Sequence, residues 1–153
     1  MKAAIVSTGK QLTELQLSKF EKKHGRVIPG PYRDFLLKYN GGDPDPCGFR
    51  LKRAPQGISK RCAVKMFLGV DVPEPTLGLD YTLTRFRDRV PANLFPIARD
   101  PGGNLICIAT EGADNGKVFF WDHEFEAEEG EPPTSRNVYL VADSFDEFLE
   151  GLS

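Results

Sequence analysis

The sequence predicts an α+β protein, an antiparallel β-sheet with flanking N- and C-terminal helices, and three observations carry that expectation. Helical periodicity lies toward both ends of the chain, β-type runs are grouped in the middle, and tight turn signals separate those runs. The order is not the alternating βαβ pattern that a parallel sheet requires.

The first helix is expected from about Glu14 to His24. Thr13 and Gln16 have capping-box spacing, Leu12 and Leu17 have the spacing of a hydrophobic staple, and Gly25 supplies the stop. Leu17, Phe20 and His24 follow one face, whereas Lys19, Lys22 and Lys23 fall largely on others. A second helix opens at Pro31, where a missing N–H does no harm, and carries Tyr32, Phe35, Leu36 and Tyr39 before Asn40-Gly41-Gly42 ends it. Asp43-Pro44-Asp45-Pro46 reads as a loop, because each proline biases its predecessor away from the helical region.

Phe49 to Leu51 alternates as a short strand, and Ala63 to Leu68 reads as a more buried one. Leu79, Leu83, Phe86 and Val90 give a third helix, closed by Pro91. Leu94 to Ala98, Asn104 to Thr110 and Lys117 to Trp121 then form an antiparallel meander, joined by Pro101-Gly102-Gly103 and Asp114-Asn115-Gly116. Asn137 to Val141 supplies one last strand. Ser144 with Glu147 caps a terminal helix bearing Phe145, Phe148, Leu149 and Leu152.

The chain of 153 residues matches one ordinary domain, expected to cover 1–153. With 20 Lys plus Arg against 22 Asp plus Glu, the net charge of -2 gives no overall electrostatic reason to bind nucleic acid. Met1 to Ser7 holds too short an apolar run for a signal, and the chain has no 18-residue apolar stretch; a cytoplasmic protein with no membrane segment is expected. Cys47, Cys62 and Cys107 form neither an even disulfide set nor a CxxC pair, and His24 and His123 are too few to build a metal site. Pro101-Gly102-Gly103-Asn104 lacks the Lys and the strand-loop-helix context of a phosphate loop, and Arg85, Arg87 and Arg89 complement a helix dipole. Cys107 reads as a small core residue and His123 as a hydrogen-bonding residue at a strand end. No catalytic residue, cofactor or metal is expected.

The order of the segments resembles the SMI1/KNR4 (SUKH) family. The residues that carry the resemblance are Phe20-Glu21 through Ile28-Pro29, Tyr32, Phe35-Leu36 and Asn40-Gly41-Gly42, then Phe67-Leu68-Gly69-Val70 and Leu94-Phe95-Pro96-Ile97-Ala98 with Asp100 and Gly103-Asn104. Val118 leading to Trp121-Asp122-His123-Glu124, and Ser144-Phe145-Asp146-Glu147-Phe148-Leu149, complete it. The resemblance implies an α+β domain without general catalytic residues. In bacteria such domains are largely immunity proteins that bind and occlude a cognate toxin. Regulatory or scaffold modules that bind other proteins are the alternative. An unrecognised hydrolase using Asp100, Asp122 and His123 would be a third class, although these residues have no recognised catalytic spacing.

Toxins neutralised by such proteins are often nucleases, whose clefts are basic because they hold phosphates, so an inhibitor of one should present acid. The densest acidic run is Asp122, Glu124, Glu126, Glu128, Glu129 and Glu131, with Phe125 interleaved as an anchor. The same run, with Gly130, Pro132 and Pro133, also reads as a solvated, mobile connection. Asp43, Asp45 and Asp114 extend this partner-binding face only if the fold brings them to it; ordinary turn chemistry accounts for them otherwise.

Overall fold

Long apolar runs in the second half of the chain pair in sequence order. Strands β6 (Leu94–Arg99), β7 (Leu105–Ala109), β8 (Val118–Trp121) and β9 (Val138–Ala142) form an antiparallel meander, and the two-residue β5 (Met66–Phe67) joins at the β6 edge. The computed structural model describes residues 2–153; Met1, which opens the segment weighed as a signal, lies outside them.

Period-two alternation sends the two halves of each strand to different cores. Ile106, Ile108, Val118, Phe120, Tyr139 and Val141 face the larger one, together with Leu17, Phe20, Tyr32, Phe35 and Leu36 from the N-terminal helices and Phe145 and Phe148 from the C-terminal one. Leu105, Cys107, Ala109 and Trp121 face a smaller core on the opposite side, closed by Val90, Leu94, Phe86 and Val138. Both faces of β7 are covered, so all five of its residues are buried and its sequence reads as a continuous apolar run.

The helices are set by their ends. Helix α1 (Glu14–His24) has the full capping box at Thr13 and Gln16 and a left-handed C-cap at Gly25. Its Glu21 accepts the Ile28 N–H at 2.9 Å and the Arg33 Nε–H at 2.9 Å, which clamps the turn into α2 (Gly30–Tyr39). Helix α4 (Phe145–Glu150) is capped by Ser144, whose hydroxyl accepts from the Glu147 N–H; the Glu147 carboxylate reaches the Asp143 N–H, one residue earlier than a capping box would.

Three sequence expectations change, and one strand is added. Ala4–Val6 forms a strand, β1, that pairs antiparallel with Asp43–Asp45, β2, a segment expected to be a loop. Proline moves its predecessor out of the helical region, but the conformation it favours is extended, which a short ribbon strand accepts. The run 63–68 divides between β4 (Arg61–Ala63), paired with β3 (Gly48–Arg50), and β5; the chain stays extended but changes partner at Val64 and Lys65, whose N–H groups donate to Cys47 and Arg99. The third helix, α3, stops at Leu79–Arg85, because Asp88 takes a left-handed conformation (φ 66°) and turns Val90 onto the second core.

Asn40 joins these parts. It is 1 % exposed, left-handed (φ 49°), and its side chain donates to the Lys10 and Val70 carbonyls at 2.9 and 2.8 Å while accepting the Val70 N–H at 2.7 Å. Asn40→Ala deletes three hydrogen bonds, two of them buried, and strains the backbone, and we expect a loss of about 2–4 kcal/mol in urea unfolding. Asn40→Gly, which relieves only the strain, is expected to recover a minor part of that loss.

Candidate functional site

The acidic run begins where β8 ends. Asp122 is 7 % exposed, and its carboxylate accepts the Glu124 N–H at 3.0 Å, capping a single 3-10 turn at His123–Phe125. The Asn137 amide donates to the Asp122 carbonyl at 2.9 Å, and the Asp122 N–H returns a bond to the Asn137 carbonyl at 3.0 Å. His123 places both its N–H and its ring Nδ1 on the Asn104 side-chain oxygen, at 3.0 and 2.6 Å. Asn104 is held in turn by Asp100, whose carboxylate also accepts the Gly102 N–H. The start of the run is thus anchored to the β6–β7 turn, and His123 serves as a hydrogen-bonding residue at a strand end.

Two arginines fix the middle of the run. Arg89 donates Nε–H and Nη2–H to the two oxygens of Glu126, at 3.1 and 2.9 Å, a fork-to-carboxylate pair. The same guanidinium lies 4.5 Å from the Phe86 ring and 5.8 Å from the Trp121 ring, so it also roofs the second core. Arg136 donates Nε–H to the Phe125 carbonyl at 3.1 Å and Nη2–H to the Glu126 carbonyl at 3.0 Å. At Phe125 and Glu126 the segment, which also reads as a mobile connection, is held by side chains from both flanks.

This anchoring turns the rest of the segment outward. Glu124, Glu128, Glu129 and Glu131 are exposed, and Phe125 is 48 % exposed. A cleft of about 820 Å³ separates the run from the exit of α3, lined by Asp88, Arg89, Glu126, Glu128, Glu129, Glu131 and the two prolines. On the other side a groove of about 590 Å³ runs between Phe125, Glu124 and Glu128 and the loop residues Pro55, Gln56 and Ile58, with Tyr139 and Arg136 beside them. The acidic run is a ridge between two hollows.

Not every carboxylate named from sequence lies here. Asp43 and Asp45 sit in the β1–β2 ribbon, reached from the β5 edge through the Gly42 and Phe67 bridge, on the flank of the sheet away from β8 and β9. Asp114 lies in the β7–β8 turn, at the opposite end of β8 from Asp122, and pairs with Lys117 at 3.1 Å. Asp122 and Glu126 belong to the ridge, but their carboxylates are spent on the cap and on Arg89. Arg136 carries no signal in the sequence, and Arg89 reads there only as a helix-end cation, because it meets Glu126 across 37 positions.

No group of three or more His, Cys, Asp or Glu among the described residues is placed to hold a metal ion, and no helix among them is long and apolar enough to cross a membrane. Cys107 is fully buried, as its apolar neighbours implied.

This geometry has two measurable consequences. Arg136→Ala removes the clamp on two carbonyls at the surface, and amide exchange over 124–131 is expected to rise by about tenfold with little change in global stability. Burial, reinforced by Asp100 and Asp122, pushes the Cys62 thiol up to about 11, so it stays protonated at neutral pH. Burial raises Cys107 further, and Cys47 is exposed. Iodoacetamide mass spectrometry is expected to show Cys47 modified first, Cys62 slowly, and Cys107 only on unfolding; equal rates at Cys47 and Cys62 would contradict this placement.

The sequence pattern of the SMI1/KNR4 family (SUKH-1) matches residues 11–151. A relative in Bacillus subtilis strain 168, named as the SPbeta prophage-derived uncharacterised protein YokK, is 32% identical over 152 residues, spanning 92% of this chain and 74% of the relative. Helices packed on an antiparallel sheet, in the segment order that suggested the family, agree with that match, and the chain belongs to the SMI1/KNR4 (SUKH-1) family.

Proposed function

We propose that this protein is an immunity protein: it binds a cognate bacterial toxin, a nuclease by the chemistry of its ridge, and occludes the active site without turning anything over. Family membership supports the protein-binding class, since SUKH domains are known as immunity proteins. The observation that carries the finer reading is the anchored ridge, in which Arg89 holds the Glu126 carboxylate and Arg136 the Phe125 and Glu126 carbonyls, while Glu124, Glu128, Glu129 and Glu131 are exposed around Phe125.

The clamps at Phe125 and Glu126 fix backbone next to the exposed carboxylates, which lowers the ordering cost of binding, and a dense anionic surface accelerates encounter with a basic cleft that holds phosphates. Phe125 would enter the cleft as the apolar anchor, surrounded by charge at the rim. Asp122 and Glu126 act in support, by keeping the ridge in shape. Asp43, Asp45 and Asp114 would meet the partner only where it extends well beyond the ridge.

Toxin domains encoded beside the gene are the partners to test, by growth rescue on co-expression and by association kinetics. Glu124→Gln, Glu128→Gln and Glu129→Gln together are expected to slow association by about tenfold and flatten its salt dependence, and Phe125→Ala to speed dissociation. Unchanged affinity and salt dependence in the triple variant would overturn the ridge as the binding face. Capture of a host regulatory complex in place of a toxin would overturn the immunity reading.

A further inference from the structure

Between Pro46 and Val70 the chain carries Arg50, Lys52, Arg53, Lys60, Arg61 and Lys65 and no Asp or Glu. The fold concentrates that charge. Arg50 and Arg61 are direct cross-strand partners in the β3–β4 hairpin, both exposed, on the face opposite Phe49, which is buried against Phe120 and Phe148. Like charges directly opposite one another on an antiparallel pair destabilise it, so the fold gains nothing from this arrangement. Among the described residues neither arginine makes an ion pair; Glu147, which shares a shallow groove with Arg50, is spent on Lys52 together with Asp143.

We infer that the outer face of the β3–β4 hairpin is a docking surface for an acidic polypeptide segment of a protein partner. Two guanidinium forks side by side match carboxylates bidentately, and a bound acidic segment removes the repulsion between them. The neighbouring surface selects the occupant. The connecting loop of the hairpin contributes Pro55, Gln56 and Ile58 to the groove whose far wall is Glu124, Phe125 and Glu128. Those glutamates disfavour a long polyanion that extends past the hairpin loop, so the surface suits a short acidic segment and not a nucleic acid. The inference is separate from the ridge and its toxin, because it uses different residues and charge of opposite sign.

The test is fluorescence anisotropy on the full chain at physiological ionic strength, with a labelled oligoglutamate peptide and a labelled single-stranded RNA of equal charge as probes. Arg61→Glu replaces the like-charged pair with a cross-strand ion pair, so its thermal midpoint is expected to equal or exceed that of the parent. Its affinity for the peptide is expected to fall by about tenfold or more. The triple ridge variant, Glu124→Gln with Glu128→Gln and Glu129→Gln, should bind the peptide unchanged, which keeps this surface distinguishable from the toxin-facing one. Absence of saturable peptide binding, an Arg61→Glu affinity equal to the parent's, or tighter binding of the RNA through the same arginines would each overturn the inference.

Discussion

The side-chain amide of Asn40 is the interaction on which the rest of the structure depends. It sits where α2 ends, and its three hydrogen bonds tie that end to Lys10, ahead of α1, and to Val70, just beyond β5. Glycine is required around it for reasons of space: a Cβ at Gly9 or Gly69 would stand 2.3 or 2.5 Å from the Asn40 carbonyl oxygen. Gly42, at φ 121°, then exchanges hydrogen bonds with Phe67, so the helical layer and the edge of the sheet are joined through one residue and its small neighbours. Because the joint is buried, any partner it lost would leave a polar group unsatisfied, and the register of both layers rests on it.

Arg89 plays the corresponding part on the other face of the sheet. Its planar cation stacks over Phe86 and Trp121 and pairs with both oxygens of Glu126, so one side chain closes the second core and fixes the acidic ridge. The hydrogen bond to Glu126 raises the guanidinium's already high pKa, so Arg89 stays charged. The second core and the shape of the acidic run therefore depend on a single residue. The ridge is fastened to the core at Glu126, and outside that fastening the glutamates remain exposed.

Charge of the two signs is sorted along the surface even though the total is near neutral. The groove lined by Phe125 and Ile58 has the glutamate ridge as one wall and the connecting loop of the β3–β4 hairpin, whose strands carry the arginine pair, as the other. A net charge of -2 conceals this, because a sum carries no positions.

Local chemistry was readable wherever one segment contained both partners. The Thr13 and Gln16 capping box, the Gly25 stop, the β6–β7–β8 meander and the burial of Cys107 all depend on neighbours in sequence, and the structure has each of them. The SMI1/KNR4 membership was legible for a related reason, since segment order is itself a sequence property. The acidic run was visible as composition, but its conformation was not: Arg89 and Arg136 reach it across 37 and 10 positions at Glu126, and no periodicity encodes such a pairing. Strand β1, the ladder change at Val64 and Lys65, and the separation of Asp43, Asp45 and Asp114 from the ridge were likewise decided in three dimensions. Sequence alone determined the main helices, the central meander and the family they compose, through short-range hydrogen bonding and hydrophobic period. Only tertiary packing decided which charges share a face, because that depends on contacts between residues far apart in the chain.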